Sequence, residues 1–196
     1  MSVYQDVIVA GFGGQGVLLI GNLLAYAAMN RGLQVTYMPV YGVEMRGGTA
    51  NCTVVLSDEE IGSPIIFYPR SLIAMNQPSV DKFQPRVRSG GVQIVNASIV
   101  PADSVDSSRV RSYLVPVNDL ADELGSMKMA NMVALGAWVR ATGVIELDEV
   151  KACLPQAFAR HKAKIISANE KALDSGADFV AGQMAPGDQS LSHAQL

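Results

Sequence analysis

Apolar residues along the chain fall into short unbroken runs, and these alternate with longer segments of helical period. Tyr4 to Ala10 (YQDVIVA) is the first run and predicts a buried strand. Val17 to Arg31 is apolar nearly all round, as expected of a helix pressed closely onto a sheet, and Gly32 is a natural stop behind it. Gln34 to Met38 predicts a second strand, ended by Pro39. Strand, helix and strand make a Rossmann-like βαβ unit, so the two strands are expected parallel with a right-handed crossover.

Further strands are predicted at Thr49 to Ser57, Ser71 to Met75, Val92 to Asn96 and Tyr113 to Val117. The proline in the last of these suits an edge or a strand end. Pro78 to Gln84 predicts a helical turn or two, and the rest of the chain is helical. Asn118 is positioned to cap Asp119 to Leu124. Ser126 is positioned to cap a long helix through Ala141 that stops at Gly143. Glu146 to Leu154 and Pro155 to Asp174 predict two more helices, with Pro155 in the first turn of the second. The face of that helix, Ala159, Lys162, Ile166 and Asn169, is mixed and so only partly buried. Ala181 to Leu196 has little to bury and reads as loose, ordered only against a partner. The expected architecture is a three-layer α/β/α domain over residues 1–175 with a mixed, mostly parallel sheet, followed by a loose tail over 176–196.

Composition adjusts this picture in two ways. The 196 residues are 49% apolar and 17% charged, where about a quarter charged is usual. Either part of the surface faces other protein, or a large buried sheet consumes the apolar residues. The net charge is -3 and no run of Lys or Arg suggests a phosphate-backbone footprint, so nucleic acid is not an expected partner. No apolar run of about 18 residues or more would span a bilayer. Met1 to Asp6 shows no basic stretch leading into a cleavable apolar one, which points to the cytoplasm.

The chemistry-bearing residues are few. Cys52 and Cys153 have no CxxC spacing and cannot supply the four ligands of a cubane iron–sulfur cluster, so buried structural thiols are expected. His161 and His193 have no Cys or acidic neighbours in a metal-binding pattern. No nucleophile elbow or Walker A loop occurs. Neither a catalytic residue nor a metal ligand is assigned to this chain.

Two glycine-rich stretches stand out. Gly11, Gly13 and Gly16 match GxGxxG directly after a strand and at the opening of a helix. Together with Gly14 and Gln15 they are candidate cofactor-binding residues, because a helix N-terminus offers unpaired N–H groups to an anion. A dinucleotide site also needs an acidic residue at the end of the second strand, and Gln34 to Met38 has none. Three readings stay open: a stand-alone Rossmann-type nucleotide-binding oxidoreductase, a coenzyme A or phosphate-binding module, and a turn kept for backbone geometry. The second stretch is YGVEMRGG. Tyr41, Gly42, Glu44, Arg46, Gly47 and Gly48 are candidate partner-loop residues, because Glu44 and Arg46 would point the same way from an extended loop.

GFGGQG followed by YGVEMRGGTANC resembles the gamma subunit of 2-oxoacid:ferredoxin oxidoreductases, the 2-oxoglutarate, pyruvate and ketoisovalerate enzymes. GSPII at Gly62 to Ile66, SLIAMNQPS at Ser71 to Ser79 and NMVALG at Asn131 to Gly136 extend the likeness over roughly residues 4–175. The chain departs from the family at Tyr68-Pro69-Arg70, where an Asp often follows the proline. The resemblance implies oxidative decarboxylation of a 2-oxoacid, with 2-oxoglutarate favoured, to an acyl-CoA with reduction of ferredoxin. Thiamine diphosphate, Mg, [4Fe-4S] clusters and coenzyme A would sit in the complex, held mainly by alpha and beta subunits and a ferredoxin-like delta subunit. The gamma chain would be structural, docking near the region accessible to coenzyme A, and not catalytic by itself.

Overall fold

The computed structural model describes residues 3–41, 48–158 and 163–184. Its strands are β1 (Tyr4–Phe12), β2 (Gln34–Tyr41), β3 (Thr49–Ser57), β4 (Ser71–Ala74), β5 (Val92–Asn96) and β6 (Arg111–Val115). Its helices are α1 (Val17–Asn30), α2 (Gln77–Phe83), α3 (Val117–Glu123), α4 (Ala130–Thr142), α5 (Leu147–Ala157) and α6 (Ala163–Gln183). The strands form one sheet in the order β2-β3-β1-β4-β5-β6. β1, β4, β5 and β6 pair in parallel. β3 runs antiparallel to both β1 and β2.

Side-chain alternation along β1 divides the interior in two. Val7 and Val9 face a large core shared with α1, α4, α5 and α6, while Ile8 and Ala10 face a smaller one shared with Val80 and Phe83 of α2. The three-layer α/β/α arrangement with a mixed, mostly parallel sheet is therefore present. α4 is buried along nearly its whole length. It crosses α6 where Gly136 lies against the backbone of Leu173 and Gly176 against that of Val133. Trp138 is fully buried, and its indole N–H donates to Ser71 Oγ at 2.9 Å, tying α4 to β4.

Several expectations need correction. β1 and β2 are parallel in direction, as a βαβ unit requires, but β3 lies between them. Pro39 does not end β2; it pairs with Cys52 inside the strand, which an edge strand tolerates because it has no second neighbour to receive an N–H. β6 is the other edge but starts at Arg111, and Pro116 falls just beyond its end. Asn118 does not cap α3. The backbone N–H groups of Asn118 and Asp119 donate instead to Ser98 Oγ, at 3.1 and 3.3 Å, a cap supplied from the loop after β5. Met127–Met129 is a short 3-10 turn, so α4 begins at Ala130 rather than directly after Ser126. Pro155 lies within α5, where the reciprocal Glu146–Glu149 capping box fixes the start. The loose tail does not begin at residue 176. α6 runs on to Gln183 with Gly176, Ala177 and Val180 buried, because this stretch covers α4. Residues 185–196, His161, His193, Ala159 and Lys162 lie outside the described residues.

Candidate functional site

β1 delivers its last residues to the carboxyl edge of the sheet, where the chain must turn at once into α1. Gly14 and Gly16 adopt φ values of 99° and 73°, a left-handed conformation that side chains disfavour. Gly16 is also the residue before α1, and a Cβ there would collide with the Asn131 side chain. Asn131, from the start of α4, donates to Gly16 O at 3.4 Å. Gln15 folds back rather than outward. Its Oε1 accepts from Phe12 N–H at 2.7 Å and from Asn76 Nδ2 at 3.0 Å, and its Nε2 donates to Met75 O at 3.1 Å. Gly11 allows this, since a Cβ there would come within 2.8 Å of Gln15 Oε1. Gln15 therefore braces the turn against the end of β4, and Gly13 and Gly14 form the exposed rim.

The two glycine stretches, separate in sequence, meet here. Antiparallel pairing sets Gly11 opposite Ala50 and Phe12 opposite Thr49, and Gly13 N–H donates to Gly48 O at 2.9 Å. Tyr41, at the end of β2, pairs with Ala50 and is exposed. Tyr41 and Gly48 thus join Gly11, Gly13, Gly14, Gln15 and Gly16 at one edge. Gly42, Glu44, Arg46 and Gly47 lie outside the described residues. The same edge carries a row of amides that sequence reasoning missed. Asn76 caps α2, with its Oδ1 accepting from Ser79 N–H at 3.0 Å and Ser79 Oγ at 2.7 Å. Asn96 donates to Met75 O at 3.3 Å and to Asn118 Oδ1 at 3.2 Å. The available signal was an Asn at or just past the end of each of two short apolar runs, SLIAMN and VQIVN.

This edge is where an open parallel sheet changes winding direction, since α1 covers one face after β1 and α2 the other after β4. Ligands of such sheets bind at that crevice. The arrangement nevertheless differs from a dinucleotide fold. β3 displaces β2 by one strand, so β2 is not the direct neighbour of β1 that a dinucleotide fold places beside its glycine turn.

The thiols are buried rather than presented at this edge. Cys52 is fully buried against α1, its Sγ 3.5 Å from Val17 O, and burial pushes its thiol up to about 12. Tyr37 beside it is raised to about 12, mainly by burial. Cys153 contacts Asn30 at 3.4 Å and is also raised, chiefly by burial. Burial disfavours the thiolate at both positions. Among the described residues no group of three or more His, Cys, Asp or Glu could hold a metal ion. No helix among them is long and apolar enough to cross a membrane.

Residues 6–179 match the family model described as pyruvate ferredoxin/flavodoxin oxidoreductase. The chain belongs to that family. Ketoisovalerate oxidoreductase subunit VorA of Methanothermobacter marburgensis is 42% identical over 175 residues, covering 88% of this chain and 36% of the relative. The chain thus spans about a third of the length of that relative. 2-oxoglutarate synthase subunit KorC of Methanocaldococcus jannaschii is 32% identical over 149 residues, 75% of this chain and 80% of the relative. The gamma subunit of a keto/oxoacid ferredoxin oxidoreductase from Geobacter sulfurreducens superposes with a TM-score of 0.77 at 27% identity, covering 91% of this chain and 99% of that one. A 2-oxoglutarate:ferredoxin oxidoreductase from Magnetococcus marinus shares the fold of the family domain, with a TM-score of 0.81 at 24% identity over 93% of this chain and 32% of that one.

Proposed function

We propose that the chain is the gamma-type subunit of a thiamine diphosphate-dependent 2-oxoacid:ferredoxin oxidoreductase, shaping and docking the assembly while other subunits carry the reactive groups. The observation that carries this reading is the family match over residues 6–179. Alpha and beta subunits, a ferredoxin-like delta subunit and ferredoxin are the partners this reading calls for. Thiamine diphosphate with Mg, the [4Fe-4S] clusters and coenzyme A then belong to sites built mainly on those subunits. The contribution of this chain near the coenzyme A path is the rim of Gly13, Gly14, Tyr41 and Gly48. Gln15, committed to Phe12, Asn76 and Met75, holds that rim in place.

The substrate is a 2-oxoacid, with 2-oxoglutarate as the first reading. A branched-chain 2-oxoacid is the second, and the observation favouring it is the 42% identity to VorA against 32% to KorC. Affinity purification of the tagged chain from its native host, followed by viologen reduction with 2-oxoglutarate, pyruvate and 3-methyl-2-oxobutanoate in the presence of coenzyme A, tests both points. Recovery of the chain without a thiamine-binding subunit defeats the assignment, and the oxoacid turned over fastest decides the substrate.

A further inference from the structure

The amino ends of β4, β5 and β6 lie at the opposite edge of the sheet from the glycine turn. Arg70 precedes β4, Arg86 and Arg88 lead into β5, Arg109 precedes β6, and Arg111 opens it. These cations are scattered in the sequence, and parallel pairing gathers them. Val92 N–H donates to Arg70 O at 3.0 Å, Gly90 N–H to Arg109 O at 2.7 Å and Arg111 N–H to Gly91 O at 2.9 Å.

Two of the guanidinium groups fasten the backbone of the preceding loop. Arg86 donates from Nε to Phe67 O at 2.8 Å and from Nη2 to Ile66 O at 3.1 Å, and Arg88 Nε donates to Tyr68 O at 2.7 Å. Arg70 Nη1 donates to Tyr4 O at 3.1 Å, and Arg109 Nη2 reaches Pro85 O at 3.5 Å. Carbonyl oxygens orient these cations without neutralising them. Among the described residues, none of the ion pairs involves Arg70, Arg86, Arg88 or Arg109. Two carboxyls feel their charge: Asp6, which is fully buried and accepts from Arg70 N–H, and Asp106, beside Arg109.

With its carbonyls held by arginine, the loop turns its large side chains outward. Ile65 is 55% exposed, Phe67 69% and Tyr68 64%. Three large apolar side chains within four residues, rimmed by cations, form a surface of the kind that marks a protein contact. We infer that this face, with Ile65, Phe67 and Tyr68 at its centre and Arg86, Arg88 and Arg109 at its rim, docks a protein partner whose surface sets carboxylates around an apolar recess. Aromatic and arginine side chains are the residue types that dominate binding energy at interfaces, and the charges select the partner. A second copy of the chain would oppose like charges in a two-fold contact. A nucleic acid would meet the repulsion of a chain of net charge -3 and would leave the apolar centre unused. The inference rests on the proposed function only in expecting the partner within the same assembly.

Hydroxyl-radical footprinting of the full chain, isolated and within its natively purified assembly, tests it. Phe67 and Tyr68 are expected to lose most of their reactivity on assembly, while exposed Met29 serves as an internal reference. A Phe67→Ser/Arg109→Glu double variant removes neither of the clamps at Arg86 and Arg88. It is expected to weaken assembly about tenfold or more with an unchanged melting temperature, and added salt is expected to weaken the parent assembly as well. Retention of both reactivities in an assembly that contains the oxidoreductase subunits overturns this inference and leaves the proposed function standing. Protection by an acidic partner in an assembly that lacks those subunits supports the inference and defeats the proposed function. A chain recovered alone with both residues reactive, protection that nuclease treatment abolishes, or undiminished assembly of the variant each overturns the inference.

Discussion

The crossing of α4 and α6 makes a sharp test of the packing described above. A Cβ placed on Gly136 falls on the carbonyl group of Leu173, and one placed on Gly176 falls on that of Val133. Both obstacles are backbone, so no side-chain rotation relieves them. Alanine in a helix interior is intrinsically favoured over glycine by about 1 kcal/mol. Overpacking of a well-filled core costs about 1–3 kcal/mol, occasionally more, and a collision with backbone belongs at or above the top of that range. Gly136→Ala is therefore expected to be net destabilising by about 2–3 kcal/mol. For a chain of this size that is a fall of roughly 4–12 °C in Tm. The control is Gly182→Ala on α6, the other helix of the crossing, where nothing lies within 4 Å of the added methyl. There the propensity gain is unopposed, and a stabilisation of roughly 0.5–1 kcal/mol is expected. Urea unfolding followed by circular dichroism reads both variants. A Gly136→Ala protein as stable as the parent, beside a Gly182→Ala protein that behaves as expected, would refute the close crossing.

Other predictions concern the braces and the buried thiol. Ser71 Oγ accepts from Trp138 N–H and Gln5 Nε2 and donates to Asp6 O. Ser71→Ala is expected to cost about 2–3 kcal/mol by stranding these groups, with a change in the emission of the single tryptophan as the native-state readout. Gln15→Leu removes the oxygen that accepts from Phe12 N–H and Asn76 Nδ2 and leaves Met75 O with Asn96 alone, and it is expected to lower stability by about 1–3 kcal/mol in a urea titration, whereas an unchanged midpoint would contradict the inward brace. Cys52 and Tyr37 are both raised to about 12, so each contributes stability that is full below its ordinary value and lost as pH rises. Thermal melts are expected to hold to about pH 9 and to fall between there and about pH 12. In the same protein Cys52 should resist a thiol reagent at pH 8 until urea is added, and rapid labelling of the native protein would contradict its burial.

Much of the fold was legible because strand and helix periods differ and because glycine and proline punctuate them. Thr49–Ser57 and Val92–Asn96 were readable to the residue, the first from its alternation and the second as a short apolar run behind Gly90-Gly91. What could not be read was the result of contacts between distant segments. Nothing local says that β3 enters between β1 and β2. Pro39 looked like an ending because a proline removes an N–H, and it became tolerable once β2 was found at an edge. Ser98 caps a helix some twenty residues further on, and α6 continues past residue 175 because α4 lies beneath it to receive Val180. For the site, the GxGxxG spacing identified the turn but not the direction of Gln15. Similarly, the five arginines from Arg70 to Arg111 showed no cluster until parallel pairing aligned their strand ends.

The hydrogen bond from Gly13 to Gly48 also constrains any attempt to exchange parts between relatives. Because each glycine stretch supplies half of one clasp, a segment transplanted alone must reproduce the backbone path that brings Gly13 N–H onto Gly48 O. A chimaera should tolerate the swap only when both segments come from the same parent, so the two stretches form one heritable unit despite the helix and strand that separate them.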